Sequence, residues 1–202
     1  MRSFTTLSIL ALFLCGCSVL GPREQGPRTY YVIEPAACSS DTAHTPHPYT
    51  LLISDTSASR LINSQRILFS RDSAPRGLYQ FAFWLESPAL RFANLILQRL
   101  ECARLFRTQT RNTTLARADF ILNTELLDFY HDVSASPSFV RVDLRAELLD
   151  LKSREIRASR SFVRSLKLQQ ADAPHAVDGF TRATDEILNE MLLWLGEQLP
   201  EN

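Results

Sequence analysis

The stretch VRVDLRAEL at residues 140–148 constrains the fold more strongly than any other part of the chain. Every second residue in it is apolar, and each residue between two apolar ones is charged. Successive side chains of a β-strand point to opposite faces, so this alternation is typical of a strand with one buried face and one face in water. We therefore expect a sheet whose other face is covered by further elements.

Neighbouring segments predict the remaining strands. Residues 119–133 form a long, β-rich run, and residues 156–168 follow a tight turn at 150–155. This order predicts an antiparallel hairpin built from residues 140–148 and 156–168. Residues 57–64 fit a short helix or a turn, and shorter apolar or aromatic runs predict earlier strands at 29–34, 49–54, 66–71, 78–84 and 104–110.

Two segments have helical periodicity. Ser87 followed by Pro88 is a typical N-cap with proline at the first helical position, and apolar residues recur at helical spacing up to residue 103. A second apolar stripe runs through residues 174–198. The order of strands, helix, strands and helix predicts an α/β (α+β) sandwich, in which two main helices pack on a mixed or antiparallel sheet.

The first 17 residues predict export and a lipid anchor. Arg2 precedes a short apolar run, which is the layout of a secretory signal peptide, and the run is too short for a membrane-spanning helix. Residues 14–17, Leu-Cys-Gly-Cys, resemble the lipobox of bacterial lipoproteins. In that motif the final cysteine receives a diacylglycerol and its new amine receives an acyl chain, so Cys17 is the expected lipidation site. An ordinary secreted protein cut nearby and a retained signal anchor are the alternatives.

These features divide the chain into three parts. Residues 1–16 are the predicted lipoprotein signal peptide. Residues 17–28, with two Gly-Pro pairs, are the lipidated tether, and residues 29–202 are the single domain. Ser18 rather than aspartate follows Cys17, and by resemblance to the usual sorting rule this favours the periplasmic face of the outer membrane.

Charge and cysteine content limit the partners and the covalent chemistry. The chain has 22 Lys and Arg against 22 Asp and Glu, and this balance argues against non-specific nucleic-acid binding, which needs an excess of basic residues. Besides Cys17, the mature chain keeps Cys38 and Cys102. In an oxidising periplasm these two either pair as a disulfide or stay as buried thiols, and the sequence leaves both alternatives open.

Signals for catalysis and for metal binding are weak. The chain lacks the motifs of serine hydrolases, zinc proteases and nucleotide-binding loops, so we predict no catalytic residue and no cofactor besides the acyl chains on Cys17. His44 and His47 are two ligands without a nearby third, whereas zinc needs three or four. His131 lies six residues after Glu125 and so shares a strand face with it, but an edge or solvent-face histidine is favoured over an acid–base role.

Two groups of side chains are candidates for binding. The alternating charges at residues 139–147 form either a polar partner surface or a plain solvated sheet face. Tyr79, Phe81 and Phe83 share one face of a predicted strand. For these aromatic residues, core packing is favoured over a surface that contacts a partner or lipid.

Taken as a set, these residues resemble the ABC-type transport auxiliary lipoprotein family, which includes the paraquat-inducible outer-membrane lipoproteins. The resemblance covers most of the mature chain. It rests on the lipobox and on patterns at residues 30–33 (YYVI), 84–88 (WLESP), 105–107 (LFR), 118–122 (ADFIL), 125–129 (ELLDF), 142–150 (VDLRAELLD) and 194–195 (WL).

The resemblance implies a non-enzymatic, outer-membrane-anchored component of a transport system that maintains the cell envelope. Its partners would be an ABC ATPase, a permease and a periplasmic protein with a mammalian-cell-entry (MCE) domain, and its cargo would be lipids, solvents or toxic compounds. Homo-oligomerisation stays open. Two other functions also stay open. One is a scaffold for outer-membrane assembly or secretion, and the other is a periplasmic hydrolase. Loss of a hydrolytic activity on replacing His47 and His131 would support the hydrolase.

Overall fold

The computed structural model describes residues 26–34, 36, 45–72, 74–111 and 117–200. Within these ranges the chain forms an α+β fold of one mixed sheet and two helices. The strands are β1 (Thr29–Tyr31), β2 (His47–Ile53), β3 (Ser57–Ala58), β4 (Arg66–Ser70), β5 (Arg76–Trp84), β6 (Phe106–Arg111), β7 (Phe120–Asp132), β8 (Phe139–Asp150) and β9 (Glu155–Lys167). The helices are α1 (Pro88–Ala103) and α2 (Ala173–Gln198).

The long strand β7 organises the sheet. One edge of β7 pairs antiparallel with β8 along its whole length, and β8 pairs antiparallel with β9. The other edge of β7 pairs in parallel with β2, β3 and β4 in turn. Strand β6 extends the sheet beyond β2, while β5 and then β1 extend it beyond β4. The sheet is therefore mixed, and the predicted antiparallel hairpin is the pair β8–β9.

Both helices lie where their apolar stripes were predicted. Helix α1 begins at Pro88 and ends at Ala103, and the C-cap residue Arg104 adopts a left-handed conformation with φ 51°. Helix α2 begins after Asp172, whose carboxylate accepts a hydrogen bond from the backbone N–H of His175 at 3.0 Å. Neither described helix combines the length and the apolar content that a membrane span requires.

An aromatic cluster joins the two helices to the sheet. Phe129 of β7 stacks on Phe180 of α2 with 4.2 Å between ring centroids, and it meets Phe92 of α1 edge-on at 5.9 Å. Trp84, the last residue of β5, lies 5.7 Å from Phe129 and 5.6 Å from Phe180. All four rings are nearly or fully buried, so the core lies between the helices and one face of the sheet.

Two bulges change the face on which predicted residues lie. Leu127 is an extra residue of β7, because Leu126 pairs with Leu144 whereas Asp128 pairs with Asp143. In β5, four residues lie opposite the single residue Ile67 of β4. A bulge interrupts the alternation of side chains along a strand, and both bulges affect candidate residues.

Candidate functional site

The sheet face turned away from the helices carries an ion-pair network. Arg141 of β8 donates from Nε to Asp128 Oδ2 at 2.7 Å, and its Nη2 lies 3.6 Å from Asp143 Oδ2. The hydrogen bond with Asp128 raises the pKa of Arg141, whereas burial raises the pKa of the Asp143 carboxyl. Further along β8, Arg145 pairs with Glu147 at 2.6 Å.

The sheet therefore has the charged face that the alternation predicts, and most of the charges on this face are paired within the chain. Pairs of this exposure contribute at most about 1 kcal/mol each to stability, so they do not explain the fold. Beside Arg141, the ring of Tyr130 lies under the guanidinium of Arg76 at 3.9 Å. A shallow depression of about 300 Å³ lies there, lined by Tyr130, Phe139, Arg141, Ser165 and Lys167.

His131 belongs to the core, and the expectation of an edge or solvent-face histidine is wrong. Its side chain is 0 % exposed, and its Nδ1 lies 2.8 Å from the hydroxyl of Tyr79. Its Nε2 is buried and has no hydrogen-bond partner among the described residues. Because the bulge at Leu127 adds one residue, Glu125 is exposed on the opposite face, and the two residues do not share the strand face that a spacing of six predicts.

The surroundings of His131 shift two pKa values. Burial lowers the pKa of His131 below its ordinary value, while the carboxylates of Asp132 and Asp172 act in the opposite direction. Burial, with a smaller contribution from Asp172, raises the pKa of Tyr79 to about 12. Tyr79 therefore stays protonated near neutral pH, and its hydroxyl is hydrogen-bonded to a buried imidazole.

The three aromatic residues of β5 do not share a face. Tyr79 lies on the helix side with His131, whereas Phe83 lies on the other side, under Arg66 at 4.8 Å and beside Tyr30 at 5.5 Å. Phe81 is 37 % exposed. The four-residue bulge in β5 is the physical reason, because strict alternation would have kept them on one side.

An apolar cleft that sequence patterns did not predict opens between the C-terminal ends of the two helices. Its volume is about 340 Å³, and it is lined by Thr45, His47, Ala103, Leu105, Leu192, Leu193 and Gly196. The Nδ1 atom of His47 is buried and has no partner among the described residues. Leu193 is 70 % exposed. Leu193 follows Leu192 directly and lies outside the apolar stripe of α2. This off-stripe leucine is the sequence signal that could have indicated an apolar surface here.

The predicted cysteine sites are mostly outside the described ranges. Cys17, Cys38 and His44 are not among the described residues, so lipidation at Cys17 and pairing of Cys38 with Cys102 stay predictions. Cys102 is partly buried near the end of α1, next to a residue of the cleft. Within the described part of the chain, no three His, Cys, Asp or Glu side chains are grouped so that they could hold a metal ion.

Comparisons with known proteins give a family and a fold. A family model for the ABC-type transport auxiliary lipoprotein component matches residues 31–192. The DUF330-family protein XCC0632 from Xanthomonas campestris has a TM-score of 0.75 at 22% identity, over 84% of this chain and 95% of that one. No curated protein matches the chain significantly.

Two further solved structures share the fold at lower identity. An uncharacterized protein has a TM-score of 0.66 at 11% identity, over 84% of this chain and 99% of its own. The hypothetical protein CT253 from Chlamydia trachomatis has a TM-score of 0.52 at 9% identity, over 75% and 98%. At these identities the likeness concerns the arrangement of helices and strands.

Proposed function

Because the chain belongs to the ABC-type transport auxiliary lipoprotein family, we propose that it is an outer-membrane lipoprotein that serves an envelope transport system. In this proposal, acyl chains on Cys17 hold the domain at the periplasmic face of the outer membrane. The domain then docks the periplasmic MCE-domain protein of a system whose ABC permease and ATPase move lipids, solvents or toxic compounds. Its own role is non-enzymatic.

One observation carries the proposal. The family match covers residues 31–192 and begins shortly after the lipobox and the Gly-Pro tether in the sequence. Family membership supports association with an ABC transport system and a place in the cell envelope. The outer membrane and the MCE-domain partner are the finer parts of the proposal, and they rest on Ser18 and on the family resemblance.

The physical chemistry of the anchor supports the same reading. Each buried CH₂ of an acyl chain contributes about 0.8 kcal/mol, and stable anchoring takes more than one chain. The balanced charge of the whole chain offers no polybasic alternative, so the acyl chains are the expected anchor. Residues 17–28 can span at most about 40 Å when fully extended, which would keep the domain close to the membrane and bring the partner to it.

The test is a pair of cysteine variants in the signal region of the full-length chain. We expect Cys17→Ala to remove acyl labelling and to release the folded domain from the outer-membrane fraction, with increased sensitivity of the cells to detergent and solvent. Cys15→Ala is the matched control, because Cys15 lies before the predicted cleavage point and alanine is small enough for the lipobox. This control should keep labelling, location and resistance.

A Cys17→Ala protein that still complements a deletion strain fully, at the same expression level, would overturn the need for the anchor. Equal acyl labelling of both variants would overturn the assignment of Cys17. Recovery of the acyl-labelled native protein in the inner-membrane fraction would overturn the outer-membrane location.

A further inference from the structure

Strand β9 leaves one long edge of the sheet open. Among the described residues it pairs only with β8, and nine of its thirteen residues are exposed. The register with β8 is continuous from Phe139 opposite Lys167 to Leu148 opposite Ala158, and it shifts only beyond Ala158. We call the unpaired side of residues 158–167 the β9 edge.

The register tells which backbone groups face the β9 edge. The N–H of Leu168 donates to the carbonyl of Ser138 at 2.8 Å, and these two residues are directly opposite in the same register. In an antiparallel ladder, hydrogen-bonded and non-hydrogen-bonded pairs alternate. The even-numbered residues therefore bond to β8, and the N–H and C=O groups that point to the open side belong to Ser159, Ser161, Val163, Ser165 and Lys167.

The side chains of these five residues leave the backbone accessible. All five are exposed, they point to the sheet face opposite the helices, and four of them are small. Proteins usually protect edge strands with proline, a bulge, a very short strand or charged side chains, and of the five outward residues only Lys167, at the end of the strand, is charged. Residues 158–167 contain no proline and no glycine, and their register with β8 has no bulge.

The arginines of this segment are held on the helix side. Arg164 donates from Nε to Glu186 at 2.8 Å and from Nη2 to Glu190 at 2.6 Å. Arg160 also pairs with Glu190. Burial of Arg164 lowers its pKa, but the hydrogen bonds to Glu190 and Glu186 outweigh that effect and raise it overall. Both guanidinium groups are thus bound to α2 and do not cover the β9 edge.

We propose that the β9 edge is a docking site for an extended, acidic segment of another protein, which adds to the sheet as a further strand beside β9. Main-chain hydrogen bonds to the five outward residues provide the affinity, as in other cases of strand addition. A carboxylate near Lys167 provides charge complementarity.

Charge favours another protein over a second copy of this chain. Residues 158–167 contain Arg160, Arg164 and Lys167 and no acidic residue. Arg160 and Arg164 are paired with carboxylates of α2, so the outward charge of the β9 edge is that of Lys167. Two copies of β9 placed side by side would provide no carboxylate from either strand to pair with Lys167, and opposite-charge pairs across strands are stabilising. An acidic strand from another protein would supply such carboxylates. The proposal stands on β9 alone and is independent of the transport partner.

The experiment measures binding of a fluorescein-labelled peptide, Glu-Val-Thr-Val-Glu-Val-Thr-Val-Glu, to the full-length lipidated protein in detergent micelles. The edge variant is the double substitution Ser161→Pro with Ser165→Pro. Each proline removes an outward N–H and leaves the bonds to β8 in place, as edge strands tolerate. The matched control is Ser161→Ala with Ser165→Ala, and thermal unfolding by circular dichroism checks that both variants fold.

We expect the peptide to bind the native protein and the alanine variant equally, and to bind the proline variant at least tenfold more weakly. The same peptide with N-methyl groups on its three central residues should lose binding to the native protein, a comparison that needs no variant. A peptide with lysine in place of glutamate should bind more weakly than the acidic one.

Three results would overturn the proposal. The native protein fails to bind the acidic peptide, or the N-methylated peptide binds as well as the parent. The third result is that the native protein sediments as a dimer whereas the proline variant sediments as a monomer, which would show that a second copy occupies the edge.

Discussion

His131 and Tyr79 form a pair that no sequence pattern places together, because 52 residues separate them. The imidazole is fully buried, and its Nδ1 is hydrogen-bonded to the Tyr79 hydroxyl. A buried histidine is stable in its neutral form, since burial disfavours the charge. The consequence is a dependence of stability on pH rather than a catalytic function.

The sign of that dependence follows from the lowered pKa of His131. The unfolded chain begins to bind a proton at this residue near the ordinary histidine pKa of about 6.5, and the folded state does so only at lower pH. The free energy of unfolding should therefore fall as the pH decreases below about 6.5. His131→Leu should flatten this part of the profile, measured by urea unfolding between pH 5 and 8. An unchanged slope in that variant would contradict the assignment.

Alanine substitutions at two glycines of α2 should change the free energy of unfolding in opposite directions. A Cβ atom on Gly179 would lie 2.6 Å from Leu168 Cδ2 and 3.0 Å from Val140 Cγ2, so Gly179→Ala should lower the free energy of unfolding by about 1–3 kcal/mol through overpacking. A Cβ on Gly196 would meet only Leu105 Cδ1 at 3.8 Å. Gly196→Ala should raise stability by up to about 1 kcal/mol, because alanine favours helix. Urea unfolding of both variants measures the difference, and effects of equal sign would contradict the packing described for α2.

At the scale of elements, strand β7 separates what sequence can predict from what it cannot. Its length and half-buried character follow from alternation, and the predicted range 119–133 contains the observed Phe120–Asp132. The bulge at Leu127 does not follow from it, because a single extra residue leaves the composition of the strand β-like. The prediction that Glu125 and His131 share one strand face is wrong because of this bulge.

The aromatic cluster makes the two helices and the sheet depend on one another. Phe180 contacts both Trp84 and Phe129, so Phe180→Ala should remove contacts with β5 and β7 and leave a cavity. We expect a loss of about 3–5 kcal/mol in the free energy of unfolding, as for other buried phenylalanines. Leu193→Ala on the same helix is the control, with a change within about 0.5 kcal/mol because Leu193 is largely exposed. Similar losses in the two variants, measured by denaturant unfolding, would show that α2 packs differently.

At the scale of the whole molecule, the α+β class and both helices could be predicted, because they depend on local periodicity and on the order of elements. The pairing of β2, β3 and β4 along one edge of β7 could not, since strands far apart in sequence pair through contacts that no local pattern records. The same distinction holds for candidate sites. The charged face of β8 follows from alternation, whereas the apolar cleft requires the ends of two helices to meet.

A surface of paired charges and an open sheet edge fit a protein that works by contact with others. Family membership implies association with an ABC transport system. The charge-paired residues of β7 and β8 and the side chains of the five outward residues of the β9 edge lie on the same face of the sheet, opposite the helices. We expect partners to approach this face of the sheet.

Partner recovery from cross-linked envelopes tests the proposed transport function, with the full-length native chain as bait and Cys17→Ala at equal expression as the matched control. We expect the native protein to recover an MCE-domain protein together with an ABC permease and ATPase, and the Cys17→Ala variant to recover less of them. Recovery of β-barrel assembly or secretion components, without any MCE-domain protein, permease or ATPase, would contradict it and favour the scaffold function.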